Sequence, residues 1–137
     1  MDRYEEIHEW VKYSDNDFEA VNQLSSFHPP KIEIICYLCQ QAAEKIIKAF
    51  LVYADLKPPR THDLTFLRDE CEKVEAEFVG LIDECARLNE YSSQPRYPSG
   101  LELVESDMEL AKKDSKKIIE FVKTKLIFNG VDEIDEA

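Results

Sequence analysis

Between Ile35 and Ala54 the apolar residues recur in steps of three and four: Ile35, Leu38, Cys39, Ala42, Ala43, Ile46, Ile47, Phe50, Leu51 and Ala54. Side chains at that spacing share one side of a 3.6-residue turn, so the stretch predicts an α-helix buried along a wide face. Gln41, Glu44, Lys45 and Lys48 gather on the other side, which predicts a polar face with Glu44 paired to Lys48 one turn on. Pro58 and Pro59 are expected to stop the helix, because each lacks an amide donor and restricts its predecessor. Thr61 is then the expected N-cap of a following helix, whose first apolar residue is Leu64.

The same pattern recurs on both sides of this helix. Ile7, Trp10, Val11, Ser14, Phe18, Val21 and Leu24 predict a first helix over residues 3–26, in which Asp15 to Asp17 can tolerate a solvent position, with His28-Pro29-Pro30 ending it. Leu64, Leu67, Cys71 and Val74 predict a third, with a break at 75–77. Phe78, Ile82, Cys85, Ala86 and Asn89 predict a fourth. The segment YSSQPRYPSG, residues 91–100, is too rich in Pro, Ser and Gly to continue a helix. Ser99 and Glu102 stand at capping-box spacing before a last helix. Its stripe of Val104, Met108, Ala111, Ser115, Ile118, Val122 and Leu126 is the seam of a bundle helix. The expected fold is all-α, a four- to five-helix up-and-down antiparallel bundle over residues 1–128. The acidic tail 129–137 has little to bury and is expected to fray.

Composition narrows the function classes. A chain of 137 residues with 44% hydrophobic and 34% charged residues suits one helical domain and argues against disorder. No apolar run approaches membrane-span length and the acidic start is not a signal peptide, so a cytoplasmic protein without membrane contact is expected. The formal charge of −12 disfavours non-specific nucleic-acid binding. Lys112, Lys113, Lys116 and Lys117 read as a solvated helix face rather than a phosphate track. Cys36 and Cys39 form a CxxC, but inside a helical stripe, and Cys71 and Cys85 lack a matching pattern or a histidine partner. Four buried free thiols, with no metal and no cofactor, are expected.

Two places offer binding chemistry. Arg60, Thr61, His62 and Asp63 stand at a predicted helix N-terminus, where free amides and the positive dipole end favour an anion such as phosphate. The plainer alternative has Thr61 capping the helix, Asp63 meeting the dipole and His62 merely exposed. Arg96 and Tyr97, in Arg96-Tyr97-Pro98, offer a planar cationic fork and a ring for stacking. Their plainer alternative is an ion pair for Arg96 and a packing role for Tyr97.

The run AAEKIIKAFLVYADLKPPRTHDL, with RYP further on, resembles the HEPN domain. The resemblance spans most of the chain, from Ile7 to Leu126. It implies a helical bundle, commonly dimeric, often working beside a small nucleotidyltransferase-fold protein in a toxin–antitoxin-like pair. Some members are metal-independent ribonucleases with an arginine, four to six residues, then a histidine, in which histidine moves the 2′-hydroxyl proton and arginine stabilises the phosphorane. Here Arg87 has no histidine in range. Arg3 and His8 match the spacing but stand in the first helix, away from the family's location. The resemblance therefore implies a module without catalytic residues, one that binds a nucleotide or supports a nucleotidyltransferase-fold partner through THDL and RYP. The alternatives are a ribonuclease toxin with an atypical site at His62, Arg96 and Tyr97, and a dimerising structural adaptor. A homodimer is expected, with Tyr37, Val52 and Tyr53 as spare apolar contacts.

Overall fold

The computed structural model describes residues 1–93 and 102–128, except for the side chains of 127 and 128. Five α-helices run in order: α1 (Arg3–Leu24), α2 (Ile32–Tyr53), α3 (Leu64–Glu72), α4 (Ile82–Leu88) and α5 (Glu105–Phe128). A 3-10 turn, Ala76–Leu81, connects α3 to α4, and a shorter one, Asn89–Tyr91, follows α4. The described residues contain no strand. The expected all-helical bundle is what the chain forms.

Helix α1 starts in a capping box. Asp2 Oδ1 accepts from the Glu5 amide at 2.8 Å, and Glu5 Oε1 accepts from the Asp2 amide at 3.0 Å. The helix ends at Leu24, two residues before the expected limit, where Ser25 and Ser26 turn their hydroxyls back onto the carbonyls of Val21 and Gln23. Asp15 and Asp17 do not face open solvent. Asp15 accepts from Lys123 of α5 at 2.8 Å and Asp17 from Lys45 of α2 at 2.6 Å.

Helix α2 is the centre of the bundle, flanked by α1 and α5 and by the shorter α3. Two serines let its neighbours approach closely. Ser14 Oγ of α1 donates to the Ala42 carbonyl at 2.7 Å, and Ser115 Oγ of α5 donates to the Cys39 carbonyl at 2.8 Å. A small hydroxyl satisfied on a helix carbonyl can be fully buried without leaving an orphan polar group. Below these contacts Phe78, from the 3-10 turn, lies between Phe50 of α2 and Phe121 of α5, with ring centroids 4.8 and 5.0 Å away.

Several sequence expectations need correction. The prolines do not end α2. The Leu56 amide donates to the Leu51 carbonyl and the Asp55 amide to the Val52 carbonyl, both at 2.9 Å, with Asp55 at φ 64. That is a Schellman closure with aspartate in the left-handed position glycine usually holds. Asp55→Gly should therefore raise stability by about 0.5–1 kcal/mol, read from the urea midpoint at unchanged slope. The ion pair lost with Arg3, at 3.8 Å between exposed side chains, offsets little of this.

Val74, Ile82 and Val104, expected on buried stripes, are each about half exposed. Val74 lies past the end of α3 at Glu72 and Val104 before the start of α5, while the 3-10 turn sets the register of α4, so that Leu81 and Leu88 are buried and Ile82 and Ala86 exposed. Val52, expected as a spare dimer contact, is buried within the chain, and Tyr37 and Tyr53 are half-buried. Ser99, expected to open the last helix, lies outside the described residues. Helix α5 begins at Glu105, with the Asp107 carboxylate accepting from the Val104 amide at 2.8 Å.

Candidate functional site

The polar side of α2 does not face solvent. Gln40, Glu44 and Lys48 are all buried, because α1 and the returning 54–63 link cover that side too. Buried charges persist only when paired and hydrogen-bonded. Lys48 Nζ donates to Glu44 Oε2 at 2.9 Å and lies 5.5 Å from the centroid of the Trp10 ring. The link then runs back along α2 and delivers His62 to the same carboxylate. His62 Nδ1 is 3.0 Å from Glu44 Oε1 and 3.1 Å from Oε2. Gln40 Nε2 donates to the His62 carbonyl at 3.0 Å, and Gln41 Nε2 donates to Gln40 Oε1 at 2.7 Å. AAEK and THDL, the two ends of one run, thus form one network.

Every partner of the Glu44 carboxylate is a donor: the Lys48 ammonium, the Gln40 and Gln41 amides, and His62. The His62 proton facing it therefore sits on Nδ1, which leaves Nε2 on the outer edge of the ring. The His62 side chain is 68% exposed while Glu44 is 4% exposed. A buried acceptor orients an imidazole that remains open to solvent.

The start of α3 is closed differently from expectation. Asp63, not Thr61, is the N-cap, with Oδ1 accepting from the amides of Thr65 at 3.0 Å and Phe66 at 3.2 Å. Thr61 Oγ1 instead accepts from the Asp63 amide at 3.1 Å. Asn89, beyond α4, supplies its Oδ1 to the Leu64 amide at 2.8 Å and its Nδ2 to Asp63 Oδ1 at 3.0 Å. The first three amides of α3 are thereby satisfied within the chain. An anion at this place would meet the side chains of His62 and the exposed Arg60 rather than free helix amides. Arg96 and Tyr97 lie outside the described residues.

Arg87 is committed elsewhere. Its Nε and Nη2 donate to the two oxygens of Asp114, at 2.8 and 2.9 Å, and Asp114 is a buried residue of α5. That bidentate contact raises the Arg87 pKa still further. One turn back, Lys117 Nζ is 2.5 Å from Glu84 Oε2. Burial alone would raise the Glu84 carboxyl, but the Lys117 hydrogen bond and the Lys117 and Arg87 charges hold it below the usual range. Lys117, still exposed on the outer face of α5, thereby also ties α4 to α5.

All four cysteines are buried and none is in a disulfide. Burial pushes the Cys39 and Cys71 thiols well above their ordinary range and Cys85 up to about 12. Thiols held protonated in this way are poor nucleophiles and poor metal ligands. No cluster that could hold a metal occurs among the described residues.

Comparison with known proteins gives the same outline. The model of the HEPN domain matches residues 7–125. The chain belongs to the HEPN domain family. The HEPN fold also appears in the crystal structure of an archaeal HEPN homologue, with a TM-score of 0.69 at 22% identity, covering 92% of this chain and 99% of that one. At that identity the likeness concerns the fold alone. No curated protein matches. In this HEPN chain no helix among the described residues is long and apolar enough to cross a membrane. What sequence reading missed was the burial of Glu44 and Lys48. The available signal was the density of apolar residues around the whole of α2, which marks a helix covered on more than one side.

Proposed function

We propose that this HEPN chain is a nucleotide-binding or accessory module without catalytic residues of its own, acting in the cytoplasm as a homodimer with a nucleotidyltransferase-fold partner. The observation that carries this reading is the state of Arg87. Its guanidinium is locked onto buried Asp114, and no histidine follows His62 anywhere in the sequence, so the arginine–histidine pair of the ribonuclease members cannot form around it. The other match, Arg3 and His8, is no substitute. Five residues apart on α1 they point about 140° away from each other, and His8 stacks edge-on with Tyr4. Phe66, Val79 and Ile82, each about half exposed, offer apolar surface for a partner or a second copy.

Binding would draw on Arg60 and His62, with Arg96 and Tyr97 as further candidates and Thr61 and Asp63 shaping the backbone beneath. Two guanidinium groups in a strongly acidic protein support weak, salt-sensitive binding. Calorimetry with a panel of nucleotides should give heats that shrink as salt rises. Arg60→Ala or Arg96→Ala should weaken binding roughly tenfold, the value of one charge-assisted hydrogen bond. Lys116→Ala, on α5, should leave it unchanged. No heat with any nucleotide, or equal losses at Lys116 and the two arginines, would end this reading.

A second reading, an RNA-cleaving enzyme centred on His62, draws on the Glu44 contact, which leaves an oriented imidazole open to solvent. RNA should remain intact with the purified protein. Cleavage that disappears in His62→Ala would favour this second reading instead.

A further inference from the structure

We infer that His62 is a phosphoryl-accepting histidine whose reactive atom is Nε2. The inference goes beyond nucleotide binding and does not require it. It stands on three observations together. The Glu44 carboxylate is met only by donors, which places the ring proton on Nδ1 and the lone pair on Nε2. Glu44 is itself 4% exposed and tied to buried Lys48, so the orientation it imposes is built into the bundle rather than borrowed from a mobile surface pair. The ring is 68% exposed, so its outer nitrogen can meet a donor in solution.

The chemistry needs no further group from the protein. The Nε2 lone pair attacks phosphorus of a small phosphoryl donor, an acyl phosphate or phosphoramidate. An N–P bond forms as the P–O bond to carboxylate, or the P–N bond to ammonia, breaks with its electron pair. For an acyl phosphate the carboxylate leaves as the anion and no proton moves. For protonated phosphoramidate the leaving group departs as neutral ammonia. In both cases the ring keeps its Nδ1 proton and becomes a phosphoimidazolium. Its positive charge develops 3.0 Å from the buried Glu44 oxygen, where a fixed carboxylate stabilises it more than water would. The formal charge of −12 favours such small donors over a polyanionic chain, which the protein repels at long range.

The other two histidines are internal controls. His28 is exposed, and His8 is half-buried against Tyr4; neither has a buried carboxylate behind it. The intact protein is incubated with acetyl phosphate and, separately, with phosphoramidate. The rate at each histidine is followed by peptide mass, and the linked nitrogen is identified by phosphorus NMR. His62 should be labelled at Nε2 at least tenfold faster than His28, and Glu44→Gln should remove most of that advantage while leaving helicity intact. Similar rates at His62 and His28, labelling of His62 at Nδ1, or an unchanged rate in Glu44→Gln would overturn the inference. If Glu44→Gln does not fold, the ratio of His62 to His28 in the unaltered protein still decides. Nucleotide calorimetry on the unlabelled protein reads the binding proposal separately, so the failure of either is distinguishable from failure of the other.

Discussion

Glu44→Ala is expected to lower the unfolding free energy by about 3–5 kcal/mol, the usual cost of removing one partner from a buried ion pair. The cost does not come from the lost attraction alone. Lys48 would remain with its ammonium in a covered position, 8% exposed, with the Trp10 ring as the remaining contact described for it. The His62 end of the link would lose its anchor as well, leaving one backbone contact from Gln40. Lys48→Met should cost less than Glu44→Ala, because a flexible apolar side chain can take over the packing while the carboxylate keeps His62 and the glutamine amides. Combining the two changes should cost less than their sum by about 1–3 kcal/mol, as residues sharing one network do. Urea titration of the four proteins measures this directly. Strict additivity would mean that the pair contributes nothing beyond its separate side chains.

Phe78→Ala is expected to be similarly damaging, at about 3–5 kcal/mol. Phe78 is fully buried, and its ring joins α2 to α5. Truncation would open a cavity and remove two aromatic contacts, each contributing about 0.5–1.5 kcal/mol beyond area burial. It would also loosen the 3-10 turn. The Phe78 carbonyl accepts from buried Arg68 at 3.0 Å, and that arginine is held by Glu72 at 2.6 Å and by Asp69. Phe78→Leu should recover more than half of the loss, since it refills most of the volume. The urea midpoint separates the two variants. A cost below about 1 kcal/mol for Phe78→Ala would contradict the packing described.

The fold was legible because helices in a bundle announce their buried stripes. Ile7 to Leu24, Ile35 to Leu51 and Met108 to Leu126 pack much as their spacing predicts. The bounds of the helices were less so, for local reasons. Asp55 closes α2 by accepting a strained φ, a choice no proline signals; α3 stops at Glu72, short of Val74, and the 3-10 turn sets a register that exposes Ile82. The candidate site was half legible. THDL stood out as polar chemistry beside a helix start, and AAEK stood out as a resemblance. Their contact was not visible, since a single-helix stripe argument assigns every polar residue to solvent. That assumption fails for a central helix, whose second side is covered by another element. The cap was misplaced by two residues for a similar reason. Thr61 and Asp63 both suit the position, and the choice follows from Asn89, a residue 26 positions away that binds the Asp63 carboxylate.

The buried Glu44 carboxylate fixes the Nδ1-protonated form of an exposed His62. Nitrogen-15 spectra of the imidazoles report this directly, through the shifts of the two ring nitrogens at a pH where the rings are neutral. His62 is predicted to show a protonated Nδ1 and an unprotonated Nε2, whereas His28, which has no such partner, should show the mixture of an unconstrained ring. Glu44→Gln should move His62 toward that mixture and leave His28 unmoved. A His62 that matches His28 in the unaltered protein, or one that ignores Glu44→Gln, would contradict the claim.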